Sequence, residues 1–164
     1  MGTVGRQIVG EHAEEIVDLL NQGIAAELND AYRYLSLAKL ASGIHSGAVA
    51  ELFERTAQDE WGHVALLMER LVQLGGRPMA APAEAANRSY APYLEPPKDD
   101  TDLRAMLEDS LEGERAAIRF YQQLFERTRN VDPVTAQIAR DALADEIDDE
   151  DEMERFLTGW VTEN

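Results

Sequence analysis

Cysteine is absent from the 164 residues of this chain. This absence excludes disulfide frameworks, thiolate zinc sites, iron–sulfur centres and thiol nucleophiles, so a bound metal would need oxygen and imidazole ligands. Basic residues are also scarce, because 15 Lys and Arg stand against 32 Asp and Glu and the formal net charge is -17. Such a chain repels nucleic-acid phosphates and anionic membrane surfaces. We therefore expect no nucleic-acid partner.

Long apolar runs are lacking as well. No run approaches the ~18 apolar residues that a membrane-spanning helix needs, and residues 1–10 lack the charged-then-apolar layout of a signal peptide. We expect no membrane partner and a cytoplasmic location. The hydrophobic share of 45% is ordinary, and the chain length predicts a single domain over residues 1–164.

Proline is confined almost entirely to one stretch of the chain. Five of the six prolines lie between Pro78 and Pro97, and the sixth is Pro133. The segments on either side are free of helix breakers for long distances. Gly75 ends one of these segments, and Asp102 is placed to cap another. The pattern predicts four long helices over about residues 11–41, 46–74, 101–130 and 132–160.

The lengths of the links between these helices predict how they pack. The links at 42–45 and 130–132 are short, which makes each half of the chain an antiparallel hairpin. The connection over about residues 75–100 carries Tyr90, Tyr93 and Leu94, so it can lie against the helices and carry the chain from one end to the other. We predict an all-α four-helix bundle with a long crossover between the second and third helices. The alternative, a disordered linker between two separate hairpins, would bury too little apolar surface.

Each predicted helix carries a carboxylate on or beside its apolar face. At about 100° per residue, Glu27, Glu60 and Glu114 lie on the stripes of the first three helices, while Glu146 and Asp149 flank the stripe of the fourth. These stripes consist of Leu20, Ile24, Ala31, Leu35 and Ala38; of Phe53, Val64, Leu67 and Leu71; of Leu107, Leu111, Ile118 and Phe125; and of Ile138, Ala142, Met153, Phe156 and Trp160.

Burying an ionised carboxylate costs several kcal/mol unless another group compensates for the lost hydration. One inward Glu could pair with an Arg across the bundle. The five inward carboxylates and the imidazole of His63 could not all be paired in this way, because the core-phased positions offer no Lys or Arg beside them. A pair of divalent cations is the simplest compensation.

The spacing of these residues supports a metal site independently. Glu60 and His63 are three residues apart, so they place two donors on adjacent turns of one helix face. A Glu from each remaining helix would close a di-iron carboxylate shell. Tyr34 and Tyr121 each follow the Glu of their helix by seven residues, so the two halves look duplicated. Tyr121 either lies beside the site or belongs to the core.

Four stretches of the chain resemble the ferritin superfamily, most closely the bacterioferritins and Dps-like ferritins, over about residues 12–160. The stretches are ELNDAYRY from Glu27, DEWGH ending at His63, MLEDSLEGE ending at Glu114 and LADEIDD ending at Asp149. The resemblance implies a ferritin-like bundle in which Glu27 and Glu114 are terminal ligands and Glu60 and Glu146 bridge the two ions. It makes His63 the first imidazole ligand and places Tyr34 beside the centre.

Three departures from the family pattern modify what the resemblance implies. Asp149 stands where the family has a second His, which predicts an asymmetric site with Asp149 as an oxygen ligand. Trp61 stands where bacterioferritins have the Met that binds haem, so haem is not expected. The sequence continues for only a few residues after Trp160, so we expect the short fifth helix of the large ferritin cages to be missing or vestigial, which favours a 12-subunit over a 24-subunit homo-oligomer.

The resemblance implies a ferroxidase with two iron ions per subunit, in which Fe(II) is oxidised by peroxide or dioxygen and stored in a hollow homo-oligomer. Glu27, Glu60, His63, Glu114, Glu146 and Tyr34 would carry this activity. One alternative is a peroxidase or catalase-like enzyme with a dimanganese or di-iron centre. A second is a non-catalytic helical stress protein in which Asp149 marks a decayed metal site.

The segment from Asp141 to Glu154, with both ends included, contains nine acidic residues and no Lys or Arg. A solvated helix face explains such a run. The functional alternative is a surface that concentrates cations near the site.

Overall fold

The computed structural model describes residues 3–160, apart from the side chain of Trp160. The predicted place of that side chain on the apolar stripe therefore lies outside the described residues. Within this range the chain is helical and contains no strand, which confirms the predicted all-α class. None of the described helices is both long and apolar enough to cross a membrane. The helices are α1 (Thr3–Val9), α2 (Ala13–Leu40), α3 (Ser46–Gln73), α4 (Ala85–Arg88), α5 (Leu103–Thr128) and α6 (Pro133–Trp160).

Local sequence signals account for several of the helix ends. Gly10 has a positive φ of 58° and separates α1 from α2, a short helix and a break that the sequence analysis did not predict. Gly75, with φ of 86°, follows α3. The Asp102 side chain accepts a hydrogen bond from the amide of Ala105 at 3.0 Å and so caps α5.

The long helices form a bundle of two hairpins, α2 with α3 and α5 with α6. The core divides into two apolar clusters, one at each end of the bundle. On α2, for example, one cluster ends at Ile24 and the other begins at Tyr34. The four predicted glutamates occupy the layer between the clusters, one on each helix: Glu27, Glu60, Glu114 and Glu146.

The crossover lies against α2 and α5, as predicted. The amide of Met79 donates to Asn21 at 3.2 Å near the start of α2, and the amide of Ser42 donates to the carbonyl of Asp100 at 2.9 Å beyond its end. Between these points the ring of Tyr90 stacks on Phe120 of α5, with centroids 4.3 Å apart. The connection therefore runs the length of the bundle and returns the chain to the end where α5 begins.

The predicted apolar stripes are inward with a few exceptions. Leu35 is 42% exposed, because Tyr34, Leu37 and Ala38 occupy the inner face at its level of α2. Ile118, Phe125, Ile138 and Phe156 are only half-buried. A regular 100° rotation does not resolve neighbours at the margin of a stripe over a helix this long.

Candidate metal centre

Four of the predicted ligands meet at one point in the middle of the bundle. Glu27 from α2, Glu60 and His63 from α3, and Glu146 from α6 each offer an atom, and these atoms all lie within 4.8 Å of one another. All four side chains are buried. A single cation could therefore be reached by three of the four long helices.

Glu114 from α5 is also buried but does not belong to that group of four. Its Oε1 accepts a hydrogen bond from the hydroxyl of Tyr34. Its Oε2 is buried and has no hydrogen-bond partner, and neither has either carboxylate oxygen of Glu146. Buried acceptors without donors are rare in folded proteins. Carboxylate oxygens without hydrogen-bond donors are the ligands that hard divalent cations prefer, so the residues present fit a metal.

Two tyrosines donate hydrogen bonds to Glu27 and Glu114, each to the glutamate of the other tyrosine's helix. Tyr34 of α2 donates to Glu114 of α5, and Tyr121 of α5 donates to Oε1 of Glu27 of α2 at 2.6 Å. Both tyrosines are fully buried. The seven-residue spacing seen in the sequence is thus matched by two hydrogen bonds that cross between the halves of the chain.

The imidazole of His63 faces the buried cluster with one nitrogen and the protein surface with the other. Its Nδ1 lies 3.2 Å from Glu60, 3.3 Å from Glu146 and 3.9 Å from Glu27. Its Nε2 lies 3.2 Å from Oδ2 of Asp145, whose side chain is 62% exposed. Asp145 is one of nine acids between positions 141 and 154 and is 82 residues from His63, so its sequence position does not distinguish it as a partner of the imidazole.

Asp149 lies beside the cluster rather than within the group of four. It is half-buried on α6. Burial and the negative charges of Glu146 and Asp59 raise its pKa to about 7, against a smaller opposing effect of Arg55. Its charge also helps to raise the pKa of Glu114. Direct ligation by Asp149 stays a prediction.

The clustered side chains shift one another's pKa values strongly. Burial and the charge of Glu146 raise the pKa values of Glu60 and Glu114 well above the ordinary range. Burial acts in the same direction on Glu27, but hydrogen bonds with Glu60 and His63 outweigh it and lower the pKa of Glu27. The pKa of His63 is raised to about 11, because its contacts with Glu146 and Glu27 overcome the effect of burial. These shifts favour the protonated forms of Glu60, Glu114 and His63, which lowers the negative charge of the cluster.

Two arginines, Arg33 and Arg70, are buried in the bundle, although the expectation concerned only basic residues beside the inward carboxylates. Arg70 pairs with Asp132 at 2.7 Å, at the end of the bundle where α6 begins. Arg33 is 1% exposed and donates to the carbonyl of Leu94 and to Ser110. Neither makes a hydrogen bond or an ion pair with the ligand glutamates among the described contacts.

Arg33 also lies near Asp30, a further acid that the sequence analysis did not single out. Burial and the charge of Glu27 raise the pKa of Asp30 to about 8, although Arg33 opposes them. Both residues fall within the ELNDAYRY stretch. The three-residue spacing from Glu27 to Asp30 is the signal that could have identified this acid.

Comparison with known proteins finds a family model and relatives that match most of the chain. The family model for ferritin-like domains matches residues 17–160. The DNA protection during starvation protein of Pyrococcus furiosus is 31% identical over 92% of this chain and 80% of its own length. The bacterioferritin of Desulfovibrio desulfuricans is 24% identical, covering 76% of this chain and 83% of its own.

Solved structures superpose closely on the bundle. The bacterioferritin-related protein of Bacteroides fragilis, described as a dodecameric thioferritin, has a TM-score of 0.93 and 25% identity, with coverage of 98% of this chain and 95% of its own. Dps from Thermosynechococcus elongatus has a TM-score of 0.83 at 18% identity, with coverage of 94% and 95%. At that identity the second likeness shows the fold alone.

Proposed function

Because this chain belongs to the ferritin-like family, we propose that it is a ferroxidase that binds two Fe(II) ions per subunit as substrate and oxidises them with peroxide or dioxygen. One observation carries the proposal: the central layer of the bundle holds buried carboxylate oxygens without a hydrogen-bond partner, on Glu114 and Glu146, and the only cationic side chain in ion-pair contact with Glu146 among the described residues is His63. Such oxygens are costly in an apolar core. A bound cation would neutralise these oxygens and so offset the cost of burying them.

The two positions for iron are unequal in this proposal. The first position uses the preformed group of Glu27, Glu60, His63 and Glu146. The second uses Glu114 with the shared carboxylates Glu60 and Glu146, and Asp149 completes it by moving inward. We therefore expect one ion to bind tightly and the other more loosely.

Hard anionic ligands favour Fe(III) over Fe(II), because the higher charge gains more from them. With peroxide, two Fe(II) ions give up one electron each, the O–O bond breaks, and two protons are taken up to form two water molecules. Cation binding displaces the protons that Glu60 and His63 hold in the metal-free cluster, so those protons are released when iron binds and the two protons consumed with peroxide come from the solvent. Tyr34 keeps Glu114 in place through its hydrogen bond.

Storage of the ferric product requires a hollow assembly, and we propose a homo-oligomer of 12 subunits. We place part of the contact between copies on the outer face of α3, where Trp61 and Val72 are 50% and 54% exposed. Native mass spectrometry of the purified protein would measure the subunit count.

The test is to load the protein with Fe(II) without oxygen, add peroxide and follow the near-ultraviolet absorbance of the ferric product. Glu60→Ala and His63→Ala should lose most of the fast oxidation. Glu51→Ala, which removes an exposed carboxylate from the same helix, should keep it. If Glu60→Ala and His63→Ala oxidise iron as fast as the wild type, the assigned site is wrong.

The same experiment with Mn(II) separates the alternatives. Release of dioxygen from peroxide by the manganese-loaded protein, without retention of ferric product by the iron-loaded protein, would favour a catalase-like enzyme. A protein that binds neither ion would be the non-catalytic helical protein with a decayed site.

A further inference from the structure

Tyr121 contacts two ligands of the same metal position and has no role in the proposed oxidation. Its hydroxyl donates to Oε1 of Glu27 at 2.6 Å. Its ring meets the imidazole of His63 edge-on, with centroids 5.9 Å apart. Phe120 packs edge-on against its ring at 5.4 Å. The side chain is therefore held in a single environment between α2, α3 and α5, with no exposed surface.

We propose that Tyr121 is a positioning residue for the tighter of the two metal ions. Its hydroxyl occupies one oxygen of Glu27, which leaves Oε2 for the cation, and its ring restricts the rotation of His63. The carboxylate and imidazole are then fixed before the ion arrives, so less conformational freedom is lost on binding. This inference rests on the metal site of the proposed function.

The reciprocal arrangement gives each tyrosine its own metal position. Tyr34 holds Glu114, which belongs to the looser position, whereas Tyr121 holds Glu27 and touches His63, which belong to the tighter one. Neither hydroxyl bonds to the glutamate of its own helix. Loss of Tyr121 should therefore weaken one binding step and leave the other unchanged.

A third buried tyrosine supplies a matched control. Tyr90 lies in the crossover, stacks on the same Phe120, and its hydroxyl is buried without a hydrogen-bond partner. Removal of that hydroxyl changes no hydrogen bond to a ligand carboxylate. Tyr90→Phe thus reproduces the chemical change of Tyr121→Phe without its effect on Glu27.

The experiment is a calorimetric titration of the metal-free protein with Co(II), combined with visible absorption spectra of the bound ion. We expect Tyr121→Phe to weaken the tighter step by about 10–100-fold, the usual effect of losing a partner of a metal ligand. It should also alter the spectrum of the first ion. Tyr90→Phe should match the wild type in both steps.

A double variant separates positioning from a general loss of stability. If Tyr121 acts through Glu27, then adding Tyr121→Phe to Glu27→Gln should cause much less further weakening than it causes alone. Full additivity, an unchanged first step in Tyr121→Phe, or an equal loss in both steps would overturn the inference. Absence of Co(II) binding by the wild type would instead overturn the proposed function, and the inference with it.

Discussion

Nε2 of His63 lies 3.2 Å from the carboxylate of Asp145, an exposed residue, while Nδ1 of the same ring faces the buried glutamates. The imidazole thus joins the surface of the bundle to its interior. When a cation binds at Nδ1, Nε2 keeps the proton of the neutral ring and donates a hydrogen bond to Asp145. A carboxylate in that place orients the ring and makes the ligand nitrogen more basic.

We predict that Asp145→Ala lowers the affinity of the tighter metal step by about tenfold, within the range for partners of ligating histidines. Asp145→Asn should keep most of the affinity, because its amide oxygen still accepts from Nε2. Zinc titration of the metal-free protein measures both. Asp141→Ala, an exposed acid of the same helix, is the control. Equal losses in Asp145→Ala and Asp141→Ala would mean that only overall negative charge matters.

The raised pKa of Asp149 predicts how stability changes with pH in the metal-free protein. The folded state keeps the proton up to a pKa of about 7, whereas an ordinary Asp loses it near 3.8. Between these values the folded state binds more protons than the unfolded state, so the free energy of unfolding falls as pH rises. The free energy of unfolding of Asp149→Asn should fall less steeply over the same pH window. Above that window the variant should be more stable than the wild type.

Urea unfolding across that pH window tests the effect. Asp148→Asn makes the same charge change at an exposed neighbour of the same helix, so it should follow the wild-type curve. Parallel curves for Asp149→Asn and the wild type would contradict the assigned environment of Asp149.

Asp149→His should make the two metal positions more alike. The imidazole reaches further than the short carboxylate, and it removes one negative charge from a site that already holds four glutamates. We expect tighter binding of the second zinc ion, with the first step little changed, in a two-step calorimetric titration. An unaltered second step would show that Asp149 lies outside the ligand shell.

The pair of Arg70 and Asp132 should be a major source of stability away from the metal site. Both side chains are buried, and Asp132 also accepts from the amide of Thr135 at 3.1 Å at the start of α6. Asp132→Ala leaves the guanidinium buried without a counter-charge, which typically costs about 3–5 kcal/mol. Denaturant unfolding at fixed protein concentration measures the loss. Glu126→Ala, which breaks the exposed pair with Arg129, should cost at most about 1 kcal/mol.

Much of this architecture could be predicted because its signals are local. The cap at Asp102, the glycine after α3 and the clustered prolines each act within a few residues. The glutamates on four inward faces are equally visible, since helical periodicity alone puts Glu27 and Glu114 among apolar side chains.

The remaining features depend on contacts between residues far apart in the chain. Arg70 and Asp132 are 62 residues apart, and His63 and Asp145 are 82 apart. Periodicity does not identify the partners of such residues. The burial of Arg33 likewise could not be predicted from the sequence, because it depends on the position of Leu94 in the crossover.

Anaerobic titration with Fe(II), followed by calorimetry, tests the central claim most directly. The account predicts two ions per chain in two unequal steps, with release of protons and a higher melting temperature. Absence of binding, or binding that survives replacement of Glu27, Glu60 and His63, would contradict it.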